Sequence, residues 1–194
     1  MPINLAALKE SLNNYPKKDI AGQLFEGFSS GFKINYHGPR LPVETKKLKS
    51  ILENPHIALE KVENEIQLGR IAGPFQYSPI SNLRCSPIGV IPKRTSGWRL
   101  ITHLSYPTFG RVNDFIDEKF TSVQYSLFDN AVSIVKNLGK GALIGKKDIK
   151  SAFRLLPKYP GDFDLLGFKI GSNYYIDKCL PMGCSISCST FEHF

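Results

Sequence analysis

Four groups of residues have types and spacings that suit chemistry. Asp148 follows a short apolar run in Ala142-Leu143-Ile144-Gly145-Lys146-Lys147-Asp148-Ile149-Lys150-Ser151-Ala152-Phe153-Arg154. A carboxylate at the end of a buried strand is rigidly held and can ligate a hard cation such as Mg2+, whose other oxygens come partly from substrate phosphates. The same residue fits the N-cap of a short helix through Ser151, Ala152 and Phe153, and local sequence alone favours capping. The second group is basic. Between Ile66 and Asn113 there is no acidic residue, whereas Arg70, Arg84, Lys93, Arg94, Arg99 and Arg111 are present. This section carries a positive field whose natural counter-charge is phosphate, while any single member also reads as a solvated surface cation. Third, Leu180-Pro181-Met182-Gly183-Cys184-Ser185-Ile186-Ser187 is a turn leading into a helix, in which Gly183 leaves room for a phosphate or base to approach backbone amides. Such turns also serve purely structural ends. Fourth, Cys179, Cys184, Cys188 and His193 lack the spacing of familiar zinc sites and read as buried free cysteines and a lone histidine.

The elements that must position these groups are legible in outline. Leu5, Leu8 and Leu12 stand at helical spacing, and Asp19 is a possible cap ahead of Leu24, Phe25 and Phe28. Asn54 to Gly69 predicts a helix with Asn54 as N-cap, Pro55 in the first turn, Ala58, Val62 and Ile66 on one buried stripe, and Gly69 as the stop. Ile88–Pro92 and Trp98–Thr102 predict a hairpin whose turn, Lys93-Arg94-Thr95-Ser96-Gly97, puts two basic residues at its tip. Asp129 to Leu138 predicts a helix with Val132, Val135 and Leu138 on one face and Gly139 as the stop. Leu165–Ile170 and Tyr174–Ile176 predict a second hairpin around Gly171-Ser172-Asn173, and a last helix begins after Ser185.

With 194 residues, 42% of them hydrophobic and 22% charged, the chain has the balance of a globular protein able to bury a core, which excludes a disordered tail. A net charge of +8 and an isoelectric point near 9.3 favour a polyanionic partner or an acidic surface. Four cysteines, and no basic-then-apolar segment at Met1, give no sign of secretion or a disulfide framework, so an intracellular setting, nuclear or cytoplasmic, is expected. No apolar run approaches the ~20 residues of a membrane-spanning helix, so no membrane partner is expected.

Taken in order, these segments resemble a reverse transcriptase, most closely that of the DIRS-type retrotransposons, which also encode a tyrosine recombinase. The blocks are Gly27-Phe28 with Gly31-Phe32, Asn64-Glu65-Ile66 with Gly69-Arg70-Ile71-Ala72-Gly73-Pro74-Phe75, Ser86-Pro87-Ile88-Gly89-Val90-Ile91-Pro92-Lys93, Trp98-Arg99-Leu100-Ile101 with His103-Leu104-Ser105, Val112-Asn113-Asp114, Lys147-Asp148-Ile149-Lys150-Ser151-Ala152-Phe153-Arg154, Leu165-Leu166-Gly167-Phe168 and Leu180-Pro181-Met182-Gly183. The resemblance implies an α+β, right-hand polymerase fold fragment: fingers plus the first part of an antiparallel palm sheet. It divides the chain into a helical N-terminal segment (1–69), a fingers hairpin and helix (70–139) and a partial palm (140–194). The implied activity is RNA-directed DNA polymerisation, the attack of a primer 3′-hydroxyl on a dNTP by a two-metal mechanism.

By the same resemblance Asp148 is the first catalytic carboxylate, holding Mg2+ with the Ile149 backbone carbonyl, two such ions serving the complete polymerase. Lys93 and Arg99 close on the triphosphate, Phe153 stacks beneath the incoming sugar with Ala152 beside it, and Met182 and Gly183 touch the dNTP. Arg84, Arg94, Trp98, Pro181 and Ser187 are the implied contacts to RNA or DNA template–primer. Two positions depart from the family pattern: His103 falls where an acidic residue is common, and Met182 replaces a polar or aromatic residue. The family's Tyr-x-Asp-Asp block, with the remaining carboxylates, is expected beyond Phe194, with the rest of the palm, thumb, RNase H and recombinase of a polyprotein. One carboxylate cannot hold two divalent ions, so this chain alone is expected not to polymerise. The alternative is a non-catalytic nucleic-acid-binding remnant of a retroelement, and a third reading is an inert, poorly folded relic with an exposed sheet edge and apolar surface.

Overall fold

The structure is a computed structural model and describes residues 3–94, 96–107 and 110–194. Thr95, in the expected hairpin turn, lies outside the described residues. The N-terminal helices are α1 (Leu5–Leu12), capped by the Asn4 carboxamide, and α2 (Lys18–Ser30). Lys17 rather than Asp19 occupies the α2 cap position; Asp19 stands in the first turn, where its charge opposes the positive end of the helix dipole. Phe28, Phe32 and Ile34 bury themselves against Leu104, Val112, Leu156, Leu165, Leu180 and Ile186, so the first core joins residues from both ends of the chain. At roughly 2 kcal/mol for each large apolar side chain buried, this cluster is a principal source of stability.

The short strand β1 (Val43–Glu44) leads to α3 (Lys49–Glu53) and α4 (Pro55–Gln67). On α4, Ala58 and Val62 are fully buried and Ile66 packs beside them, the stripe that the 3.6-residue period predicts. Pro55 opens the helix and Gly69, at φ +70°, follows its end; Asn54 holds the cap position, but its side chain donates to the Ser50 carbonyl instead of capping.

Six further strands follow among the described residues: β2 (Ile71–Phe75), β3 (Arg84–Cys85), β4 (Ile88–Pro92), β5 (Trp98–Thr102) and, after a helix, β6 (Gly167–Ile170), which pairs with β7 (Asn173–Asp177). One sheet has the order β1-β3-β6-β7-β2, parallel on the β1-β3-β6 side and antiparallel across β6-β7-β2. The α+β class stands, but the sheet is mixed where an antiparallel one was expected. The reason lies in connections: β3 and β6 are 81 residues apart in the chain, long enough for the crossover that parallel pairing requires, whereas β6 and β7 share a two-residue turn. Phe168 and Tyr175 stack across that hairpin with ring centroids 5.2 Å apart, over the second core of Ile51, Val62, Ile71, Ile88 and Val90.

The middle of the chain behaves differently. Helix α5 (Phe128–Leu138) forms and stops at Gly139 as expected, yet it buries no residue: Val132 and Val135 are half-buried, and Leu138 and Phe128 are exposed. The buried strand expected at Ala142–Ile144 is absent. Leu143 is 97% exposed and Ile144 77%, in a segment without regular structure. A strand exists by pairing its backbone with a neighbour, and among the described residues none lies alongside this one, so neither its hydrogen bonds nor its apolar side chains are satisfied internally.

One buried cation is unusual. Lys158 is 2% exposed, donates from Nζ to the Asp162 carbonyl at 2.6 Å and lies over the Phe163 ring. Burial pushes its ammonium down to about 7, against the pull of Asp177 and Asp162. The unfolded chain keeps this proton up to about pH 10. The folded state is therefore penalised most below pH 7, and the penalty fades as pH rises from about 7 towards 10. Lys158→Met is expected to raise the melting temperature at pH 6 and to raise it distinctly less at pH 9, by thermal denaturation followed by circular dichroism; an equal change at both pH values would show that Lys158 carries no buried charge.

Candidate nucleotide and nucleic-acid interface

The expected Ile88–Thr102 hairpin is built as the alternation predicts. Strands β4 and β5 pair from Ile88 opposite Thr102 to Pro92 opposite Trp98, and the Lys93 amide donates to the Gly97 carbonyl at 2.9 Å to close the loop. Val90 and Leu100 face the second core, so Ile91 and Arg99, one position along each strand, point outward. Lys93, Arg94 and Arg99 are all exposed and share this hairpin. Trp98 packs half-buried against the second core, which gives it a structural task besides the expected contact. Arg84 sits in β3 at 6% exposure and donates to the Gly110 carbonyl, so it does not join the exposed basic surface expected of it. A cation can be buried there because a backbone dipole receives it.

The second piece is the turn before α6 (Ile186–Glu192). Leu180 and Pro181 are buried; Met182 and Gly183 are exposed. The Cys184 amide donates to the Pro181 carbonyl at 3.3 Å, and the Ser187 hydroxyl donates to the same carbonyl at 2.9 Å from a site only 1% exposed. Pro181 and Ser187 thus hold the shape of the turn from inside, while Met182 and Gly183 form its open face. Gly183 has φ +108°, and a Cβ there would stand 2.2 Å from the Thr102 carbonyl oxygen at the end of β5. The Thr102 amide donates to the Met182 carbonyl at 3.4 Å. Asn113 completes the union: its amide nitrogen donates to the Gly183 carbonyl and to the Ser105 hydroxyl, each at 2.9 Å, and its oxygen accepts from the Ser185 amide at 3.0 Å. Hairpin base and turn, some eighty residues apart in sequence, are therefore joined backbone to backbone.

The third piece carries Asp148. Asp148 and Ile149 are exposed and outside regular structure, so Asp148 is neither at the end of a buried strand nor a helix cap; Ser151, at φ 56°, precedes the short 3-10 helix Ala152–Leu155. Phe153 is half-buried with its ring edge-on to Phe191 of α6. The Leu180 amide donates to the Leu156 carbonyl at 3.0 Å, so the segment after Phe153 runs beside the segment that enters the turn. Arg154 anchors it. Its Nη1 contacts both oxygens of Asp177 at 2.6 Å, and its Nε and Nη2 donate to Glu65 Oε2 at 2.9 and 2.8 Å. Burial works against the Arg154 charge, but Asp177 and Glu65 outweigh it and hold the guanidinium protonated. Burial raises the Asp177 carboxyl against the pull of that guanidinium and of the Cys179 amide.

Among the described residues no group of three His, Cys, Asp or Glu side chains is gathered to hold a metal ion. The Asp148 carboxylate and the Ile149 carbonyl fall short of the six oxygens that Mg2+ takes, and these residues alone do not make a two-ion centre. Cys179 and Cys184 are buried and free, their thiols pushed up to about 11 by burial. A cleft of about 730 Å³ opens between α2, residues 119–124 and α6, and none of the sequence-predicted site residues lines it. No helix of the described residues is long and apolar enough to cross a membrane. Glu65, Asn113 and Arg154 received no role from the sequence, although each stands inside a block that carried the family resemblance.

No family model matches the sequence, and no curated protein matches it. Solved structures do. Prototype foamy virus protease–reverse transcriptase, as a CSH mutant, aligns over 97% of this chain and 26% of its own with a TM-score of 0.54 at 16% identity. The foamy viral enzyme in complex with an RNA/DNA hybrid aligns over 98% of this chain and 26% of its own, with a TM-score of 0.56 at 14% identity. Its form in complex with double-stranded DNA gives 0.54 at 14%, over 97% of this chain and 34% of its own. The chain thus has a reverse-transcriptase-like fold and spans about a quarter to a third of the length of these structures.

Two substitutions probe this geometry. Gly183→Ala is expected to destabilise by about 2 kcal/mol or more, from backbone strain plus the clash with Thr102, whereas Gly69→Ala, at φ +70° with open space, meets strain alone and costs less in the same denaturant titration. Arg154→Met strands Asp177 in the interior and is expected to cost about 3–5 kcal/mol at pH 7. That loss shrinks towards pH 5, because a carboxyl left without its cation folds protonated and so loses stability as pH rises.

Proposed function

We propose that this chain is the nucleotide-gripping and template-facing portion of an RNA-directed DNA polymerase from a DIRS-type retrotransposon. The observation that carries the reading is the docking of the Met182–Gly183 turn on the base of the Lys93–Arg99 hairpin, within a fold like that of a reverse transcriptase. In this reading Lys93 and Arg99 neutralise the triphosphate, Phe153 with Ala152 forms the platform for the sugar, and Met182 and Gly183 border the nucleotide. Arg94 at the hairpin tip meets the template backbone, and Trp98, Pro181, Ser187 and Arg84 support these surfaces from within. Positioning and charge neutralisation are the means, since phosphoryl transfer asks little covalent chemistry of the protein.

Asp148 and the Ile149 carbonyl supply one side of a Mg2+ site, and Mg2+, when bound, neutralises the phosphates in transfer. Among the described residues the further carboxylates that two ions require are not beside Asp148. Polymerisation therefore belongs to an assembly with the remaining palm and thumb, and the chain alone binds a template–primer without extending it. The same isolation of Asp148 favours the second reading, a binding remnant without catalysis.

The test is binding of an RNA/DNA hybrid across a salt series, with titration of a fluorescent dATP analogue in Mg2+. Lys93→Ala and Arg99→Ala are each expected to lower the salt slope of hybrid or nucleotide affinity by about 1, as for a lost phosphate contact. Asp148→Ala is expected to leave hybrid binding intact and to abolish the Mg2+ dependence of analogue binding. Equal slopes in all proteins would sink the polymerase reading; hybrid binding without any Mg2+-dependent nucleotide binding would leave the remnant.

A further inference from the structure

From the three hydrogen bonds of its side chain, we infer that Asn113 is a positioning residue that locks the nucleotide-facing turn to the fingers hairpin, so that the two present one rigid surface. The inference rests on the reading of Met182–Gly183 as a nucleotide contact. Asn113 opens a one-turn 3-10 helix, Asn113–Phe115, and its own amide donates to the Leu104 carbonyl at 3.2 Å. Leu104 and Val112, on either side of that bond, are both fully buried. The backbone of Asn113 is thus fastened to the first core, and only its side chain projects towards the turn.

A carboxamide is the group this place requires. The Gly183 carbonyl and the Ser185 amide lie on the same stretch of turn and need a donor and an acceptor side by side, which a primary amide supplies from one planar group. A third bond, to the Ser105 hydroxyl, secures the remaining amide proton and brings in the loop that follows β5. The exposed face of the turn is left with Met182 and Gly183, whose orientation is therefore set by Asn113 from one side and by the Thr102 backbone from the other. No other side chain among the described residues hydrogen-bonds to both flanks of Gly183–Ser185.

The test compares wild type with Asn113→Ala and Asn113→Asp. The aspartate is near-isosteric and keeps the acceptor for Ser185 while turning the donor to Gly183 into a repelled oxygen, so it guards against a result that merely reports lost packing. Amide hydrogen exchange at Ser185 is expected to quicken by about tenfold or more in Asn113→Ala, with exchange in β6 and β7 unchanged. Affinity for the fluorescent dATP analogue in Mg2+ is expected to fall about five- to tenfold in both variants, in Asn113→Ala because both bonds to the turn are lost and in Asn113→Asp because the bond to the Gly183 carbonyl becomes a repulsion, while hybrid affinity, read at Arg94 of the hairpin tip, stays within a factor of about two. Unchanged exchange at Ser185 overturns the inference whatever the nucleotide does. Equal loss of hybrid and analogue binding also overturns it, by showing a general structural defect. If wild type binds no analogue while Ser185 exchange responds as expected, Asn113 holds the turn and the reading of the turn as a nucleotide contact is what fails.

Discussion

The ion-paired cluster around Arg154 is the constraint on which the architecture turns. One guanidinium receives Asp177 from the end of β7 and Glu65 from the last turn of α4, and it belongs to the short helix that follows Ser151. Three elements remote in sequence meet at a single planar group with donors enough for both carboxylates. Next to it the Lys178 amide donates to the Arg70 carbonyl and the Cys179 amide to Asp177, so the chain leaving β7 is threaded past the same point on its way to the turn. Because Asp177 is fully enclosed, the cluster tolerates little rearrangement: a buried charge without its partner is far more costly than the pair is favourable.

From that anchor the rest of the candidate surface follows. The path from Asp177 through Leu180 runs beside Leu156 and delivers Pro181 to the end of β5. There, contacts of backbone on backbone leave no room for a side chain at position 183, and the open part of the turn is confined to two residues. Opposite it the hairpin places Ile88, Val90 and Leu100 against the core and its cations outside, so the positive field and the turn belong to one framework, and among the described residues the hairpin's cations make no ion pair.

The segment from Ser122 to Lys150 stands in contrast. Its helix is amphipathic and well formed, yet none of its residues is buried: Phe128, Ile134 and Leu138 are exposed, Val132 and Val135 only half-buried, and Asp148 is exposed as well. Nothing in the local pattern distinguishes an apolar run with pairing partners from one without them, which is why the expected strand at Ala142–Ile144 could be read from hydrophobicity and still not form. The cap reading of Asp148 fails for a different reason: Ser151 takes the left-handed conformation that redirects the chain into the following helix.

What the sequence determined by itself is whatever depends on near neighbours in the chain. The α4 stripe of Ala58 and Val62, the β4–β5 register, the β6–β7 hairpin and the outward placement of Lys93, Arg94 and Arg99 all follow from periodicity and turn chemistry, which are local. Only the tertiary structure decided that Arg84 turns inward to a carbonyl, that Lys158 is buried, that the sheet is mixed, and that Glu65, Asn113 and Arg154 become the fasteners of the site. Apart from Lys158, whose amine meets the carbonyl four residues on, each of the side chains among these meets a partner 23 to 89 positions away, and a polar side chain carries no mark of whether its partner will be water or a distant part of its own chain. Burial converts an ordinary asparagine or arginine into a structural requirement, and burial is a property of the assembled fold.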